Sequence, residues 1–383
     1  MHAYLDNAAT TPVAPEVVKA MMDVYTTVHG NPSSTHAPGR KAKALIETSR
    51  RTIASLLGVP PRTICFTSGG TEADNHAIQA AVSCLGVKRI ITSAAEHSAV
   101  IKATQQASDR HQLELVHVQH HGDGQVDMGH LAELLAGSEK KTLVSLMHAN
   151  NEVGVMVDLD RLSTLCREHG ALLHSDTVQT MGHYPLDLNV VDVDFLACSA
   201  HKLHGPKGTG FLYVNPKLRI DGMIVGGGQE RMLRGGTENV AGIVGLAEAF
   251  AAAFEHMAEH EAHVRAMKAR MVQGLRERVP GVVFNGDSDK EDRLYTVLNV
   301  QFPEHPNGGM AVFLLDLEGV ACSGGSACSS GATLGSHVLR ALQFHEPNKA
   351  SVRFSFSRYT SEADIDFALD AAQKVFASAE EVV

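Results

Sequence analysis

No tract of lysine or arginine interrupts this 383-residue chain, whose 33 basic and 43 acidic residues give a formal net charge of −10. Without a basic tract there is no electrostatic footing for polyanions, so nucleic acid and acidic membranes are disfavoured as partners and a small molecule is expected. Absent too is any apolar run near the roughly 20 residues that span a bilayer. The opening stretch "MHAYLDNAATTP" lacks the charged-then-apolar order of a secretory signal. A cytoplasmic protein with no membrane partner is expected. Six cysteines lie scattered along the chain with no CxxC pair, which argues against a disulfide framework and a zinc site and leaves the thiols reduced. There is no internal repeat and no low-complexity tract.

What is present is enough apolar residue, 44%, for a substantial core and more than one domain. From Thr63 to Val214, short β-rich runs ("TICFTS", "RIITS", "LVSLM", "ALLHS", "FLACS", "GTGFLYV") alternate with amphipathic ones. That alternation predicts a mostly parallel sheet covered by helices on both faces. In such sheets ligands bind beyond the carboxyl ends of the strands, and polar clusters stand there: Ser68-Gly69-Gly70-Thr71, Glu96-His97, Asn150-Asn151, Asp176 and Ser199-Ala200-His201-Lys202. The alanine-rich, proline-free stretch 239–277 reads as one long helix or two joined ones. Beyond it a smaller α/β domain is expected. The division predicted is 14–250 for the large domain, with 1–13 and 251–383 forming the small one.

The strand ends carry the chemistry. In "FLACSAHKLHGPKG", Lys202 stands directly after an apolar strand, placed to react with a cofactor aldehyde, whereas Lys207 lies inside the Gly/Pro turn. Asp176 in "LLHSDTVQ" suits a carboxylate that keeps a pyridine nitrogen protonated, or a helix cap. "CFTSGGTEADNHA" runs from strand to helix through two glycines, a shape that can cradle phosphate on free N–H groups, though it matches no nucleotide fingerprint. His97 in "AEHSAV" can stack on an aromatic cofactor, move protons, or lie on the surface.

Taken together, "YLDNAATTP", "HGNPSS", "FTSGGTEADN", "AEHSAV", "MHANNEVG", "HSDTVQ", "SAHKLHGPKG", "GGGQERMLRGGTENV", "GSACSSG", "SHVLRAL" and "VRFSFSRYT" resemble, in order, the signature segments of the cysteine desulfurases. The resemblance runs from Tyr4 to about Thr360. It implies an aspartate-aminotransferase-like fold (type I of the pyridoxal-phosphate enzymes), pyridoxal 5'-phosphate as cofactor, and L-cysteine as substrate. By the same resemblance Lys202 is the Schiff-base lysine, Asp176 the partner of the ring nitrogen, and His97 the residue on the ring face. Gln179 and Asn151 would lie near the ring hydroxyl and the substrate. Gly70, Thr71, Ser199 and His201 would hold phosphate, with Thr237 reaching in from the second subunit of a homodimer. Arg353, Asn31 and Asn151 would bind the substrate, and an arginine's planar fork suits its carboxylate.

The run "CSGGSACSSG" puts two thiols among glycine and serine with almost nothing apolar around them. The resemblance makes Cys328 the sulfur acceptor, which takes the substrate sulfur as a persulfide, releases alanine and passes the sulfur to an acceptor or iron–sulfur scaffold protein. No resident metal is implied, although Cys328 could transiently ligate an iron–sulfur cluster. A free thiol ionises near pH 8.5, so the site must help; His97 and the substrate amine are the candidates. The chain departs from the family at Cys322 and Gly324, where an aliphatic residue and a serine are commoner. Cys322 is expected to be a tolerated small residue rather than a resolving thiol. The chain ends at "SAEEVV", short of the longer tail some members use to dock a scaffold, which leaves the acceptor open.

Overall fold

The computed structural model describes residues 2–305, 308–324, 336–346 and 349–376. Twelve strands are present among them: β1 (Ala3–Tyr4), β2 (Ile64–Thr67), β3 (Arg89–Thr92), β4 (Glu114–His117), β5 (Thr142–Ser145), β6 (Leu172–Asp176), β7 (Phe195–Ser199), β8 (Gly210–Val214), β9 (Val283–Phe284), β10 (Val297–Gln301), β11 (Val320–Ala321) and β12 (Ser351–Ser355). Seven form the main sheet, in the order β2-β8-β7-β6-β5-β3-β4. All its pairings are parallel except those of β8, which runs antiparallel to both β2 and β7. Too little chain separates β7 from β8 for the dozen-residue crossover that a parallel neighbour requires.

Both faces of this sheet are buried, and strand parity assigns each side chain to one of them. Ile64, Phe66, Leu173, Leu196, Cys198, Phe211 and Tyr213 face a core shared with α1 (Pro15–Thr27), α2 (Ala37–Leu56) and, further along the chain, α5 (Met128–Ala136), α6 (Leu159–Glu168) and α7 (Val240–Glu255). Their alternates Cys65, Leu172, Phe195, Ala197, Leu212 and Val214 face α3 (Gly70–Ser83) and α4 (Ser98–His111). Asp176 and Ser199 continue the second parity, so both open on the α3 side at their strand ends.

The stretch 239–277 is two helices, α7 and α8 (Met257–Arg278), bent by 76° at the His256 break. No single helix among the described residues is long and apolar enough to cross a membrane. Around α8, the three-stranded sheet β12-β10-β9 and the β1–β11 pair build a second core, closed by α9 (Ala311–Leu317) and α11 (Glu362–Phe376). The short α10 (His337–Ala341) instead packs Val338, Leu339 and Leu342 against Ala95, Val153 and Val155. The N-terminal segment laces the two cores together. Ser355 N–H donates to Leu5 O, Asn7 donates to Ser355 O at 2.9 Å, and Thr11 N–H reaches His201 O.

Candidate active site

One cavity of about 260 Å³ opens at the carboxyl ends of β6 and β7. Lys202 lies at its wall on a single turn of 3₁₀ helix, Ala200–Lys202, that continues β7. Its ammonium donates to the carbonyls of Ala8 and Ala9, the latter at 2.8 Å. The turn is secured from behind, where His183 Nε2 donates to Lys202 O at 3.2 Å and its ring contacts the Tyr295 hydroxyl at 3.1 Å. Lys207 is exposed and does not line the cavity. Between the two lysines considered, only Lys202 is held at the site.

Asp176 ends β6 and is buried, with one oxygen accepting from Val178 N–H at 2.9 Å. Burial raises its pKa, opposed by His97, by the Val178 N–H and by Lys202. Gln179 follows and donates to Ala8 O at 3.1 Å. His97 caps α4, its Nδ1 accepting from Ala99 N–H at 3.2 Å, and burial pushes its pKa down, so the ring is uncharged at neutral pH.

Helix α3 starts at Gly70 with no side-chain cap, leaving its first N–H groups for a ligand. Two close approaches shape this corner. A Cβ on Gly70 would stand 2.6 Å from Val178 Cγ2, and one on Gly210 would stand 2.2 Å from Cys198 O and 2.8 Å from Gly69 Cα. At Gly210 the clash is with backbone and leaves no room for a side chain, whereas at Gly70 Val178 would have to shift. Thr71, Ser199 and His201 complete this end of the cavity, and His201 Nδ1 contacts Thr10 Oγ1 at 3.1 Å.

At the opposite end Arg353 is 1% exposed yet lines the cavity. It pairs with Asp6 at 2.8 Å and donates to Asn151 O at 2.9 Å, while its Nε and the buried Asn151 Oδ1 have no hydrogen-bond partner. Asn31 and Thr237 are exposed and lie outside the lining. Cys328 falls outside the described residues. The chain on either side of 325–335 is anchored beside the cavity: Ser323 exchanges backbone hydrogen bonds with Arg353, and Ser336 donates to the Glu152 carboxylate. Cys322 packs against the second core, and burial pushes its thiol up to about 12, which makes it a poor nucleophile. At Gly324 a Cβ would press on Val312 Cγ2 at 3.1 Å, a reason for glycine there.

Several lining residues carried no mark in the sequence reading: Asp74, Glu152, Met147 and His337. Asp74 sits in α3, 1% exposed, its Oδ1 3.4 Å from His174 Nε2 without hydrogen-bond geometry. Burial, with the Asp176 charge adding to it, holds the Asp74 carboxyl well above the usual range, and Glu96 behaves alike. Burial holds His174 down to about 3. The signal that could have found Asp74 is a lone carboxylate on the helix face that otherwise carries Ala73, Ala77 and Ile78. Among the described residues no group of His, Cys, Asp and Glu is arranged to hold a metal ion.

The aminotransferase class-V family model matches residues 3–367. A cysteine desulfurase of Gluconacetobacter diazotrophicus is 40% identical over 99% of this chain and 94% of its own length. The cysteine desulfurase IscS of Klebsiella pneumoniae is 41% identical over 97% of this chain and 92% of its own. Among solved structures, a NifS-like protein superposes with a TM-score of 0.89 at 33% identity, covering 98% of this chain and 99% of the other. The NifS-like protein of Rickettsia africae gives 0.88 at 31% identity over 99% and 100%.

Proposed function

Because the chain belongs to the class-V aminotransferases and, within them, to the cysteine desulfurases, we propose that its cavity holds pyridoxal 5'-phosphate and moves sulfur from L-cysteine to Cys328. The single observation that carries this reading is the meeting of the Lys202 amine and the buried Asp176 carboxyl in one cavity, under an uncapped helix N-terminus. That donor set suits the group. Lys202 would take its aldehyde, Asp176 its ring nitrogen, and Gly70, Thr71, Ser199 and His201 its phosphate, with Thr237 of a second copy completing the phosphate site in a homodimer. Gln179 and Asn151, the latter with an orphaned oxygen, would meet ring hydroxyl and substrate. When bound, the cofactor supplies an electron sink for bonds at the substrate Cα.

The chain's own residues do the rest. Arg353 binds the substrate carboxylate, with Asp6 and Asn151 O fixing its fork. Asn31, exposed in this chain, would assist from the rim. Lys202 removes the Cα proton as the neutral amine, whose lone pair takes it and makes the ammonium that the Ala8 and Ala9 carbonyls can hold, and His97 offers its Nε2–H to the cavity. Cys328 takes the sulfur: its S–S bond to the substrate sulfur forms as the substrate C–S bond breaks. L-cysteine and the thiol thereby become L-alanine and a persulfide, and atoms balance. The persulfide then serves a sulfur acceptor or iron–sulfur scaffold in the cytoplasm. The division into 14–250 and 1–13 with 251–383 follows the same reading, with most of the pocket on the larger part, Ala8, Ala9, His337 and Arg353 of the smaller part closing it, and the acceptor thiol on the smaller.

Incubation of the purified protein with L-cysteine and a reductant tests the reaction. Sulfide and alanine are expected in equal amounts. Alanine without sulfide, or neither, would overturn it.

A further inference from the structure

Outside the active cavity one buried nucleophile has no task. A groove of about 660 Å³ runs between α8 and the strap 289–291, and Lys268 lines it. Lys268 is 5% exposed, a degree of burial that lysine seldom reaches without an acidic partner. Here the amine donates to Leu294 O at 3.0 Å and forms no ion pair among the described residues. The acids nearby are engaged elsewhere: Asp289 with Arg276 at 2.6 Å, Asp292 with Arg293 at 2.7 Å and Glu261 with Arg265 at 2.8 Å. A buried ammonium has three donors and a charge to satisfy, and one carbonyl satisfies neither. A neutral amine needs little more than that one bond and has a lone pair to spare. Burial, with the Arg265 charge adding to it, accordingly holds Lys268 down to about 7.

Size and charge select what this lone pair can meet. So little of the side chain is exposed that only a small electrophile reaches it, which excludes bulky acyl donors. Arg265, one turn earlier on α8, favours an electrophile that becomes an anion on addition. Carbon dioxide meets both demands. We propose that Lys268 is a carbon dioxide site, forming a reversible carbamate whose carboxylate is met by the Arg265 guanidinium. The amine lone pair forms the N–C bond as one C–O π bond opens onto oxygen. One N–H proton leaves to solvent, and the remaining N–H stays on Leu294 O. Nothing is oxidised or reduced. The charged groups that face the amine are Arg265 on its own helix and Asp289, Asp292 and Arg293 on the strap. The acids of α11, packed on another side of α8, pair instead with Arg270 and Arg278. Leu294 in turn clusters with Ala8 and Ala149 of the active-cavity wall, so the modification stands directly behind that wall.

The test equilibrates the cofactor-loaded protein with carbon-13-labelled carbon dioxide at fixed dissolved concentration and varied pH. Carbamates are trapped by O-alkylation and located by mass spectrometry of the peptides. Label is expected on Lys268, rising with pH through an inflection near 7. Ordinary lysines, which ionise near pH 10.4, hold about 10³-fold less neutral amine at pH 7 and should carry almost none. Lys268→Arg keeps a donor for Leu294 O and should carry no label at that position; Lys268→Met takes its place if the arginine variant does not fold. Arg265→Gln should raise the half-saturating carbon dioxide concentration about tenfold. Because the unfolded chain presents only an ordinary lysine at this position, carbon dioxide should also raise the Tm of the wild type, at constant pH, and not that of the Lys268 variant. A wild type with no label on Lys268, label spread evenly over the surface lysines, or an Arg265→Gln protein labelled as readily as the wild type would overturn the proposal.

Discussion

Lys202 and Asp74 show how far a single side chain can be read at its own scale. Lys202 stands directly after an apolar strand, a place that by itself suits a solvated loop lysine equally, and it was the neighbouring strand-end residues and the ordered family segments that singled it out; the structure holds its ammonium on two carbonyls. Lys202→Ala should abolish turnover and the visible absorption of the loaded enzyme; a spectrum that survives would hand the role to Lys207. Asp74 was not legible, because a carboxylate inside an amphipathic helix reads as a solvated residue until tertiary packing buries it. Its pKa is raised in the folded protein. The folded state therefore holds its proton more tightly than the unfolded one, and stability is lost as pH rises above the unfolded value near 4. Asp74→Asn removes that loss. The variant should gain on the wild type with rising pH by up to about 1.4 kcal/mol per unit, read by urea denaturation at pH 4.5, 5.5 and 6.5. A constant difference would show that Asp74 does not titrate in that range.

Among the elements, the strand ends were readable and the joints between them were not. Short β-rich apolar runs mark β2, β3 and β5–β8 with their trailing polar clusters, since strands buried on both faces are apolar throughout and their ends are not. β1 and β11, two residues each, have no period to detect. The placement of α10 depends on an apolar contact with Ala95, more than 240 residues away in sequence, which is why His337 escaped notice. At the head of α3 the geometry is explicit. Gly70→Ala sets a methyl 2.6 Å from Val178 Cγ2, and such overpacking costs about 1–3 kcal/mol. Titration with pyridoxal 5'-phosphate, followed by absorbance, should find affinity lowered about tenfold or more. Wild-type affinity would mean that the helix N-terminus does not hold the phosphate.

The whole molecule brings together residues from both ends of the chain. Asp6 and Arg353 meet in a pair of 2.8 Å, Ala8 and Ala9 receive Lys202, and the chain on either side of 325–335 is fixed at Arg353 and Glu152. No local pattern announces such a meeting; the ordered family segments did, because they carry the whole topology at once. The two expected residues outside the cavity lining, Asn31 and Thr237, are exposed. The account turns on where the sulfur goes. After brief exposure to L-cysteine, mass spectrometry should find one added sulfur on the peptide carrying Cys328, and Cys328→Ser should keep the cofactor's absorbance while making almost no alanine. Sulfur on Cys322 alone, or alanine production surviving in Cys328→Ser, would contradict it.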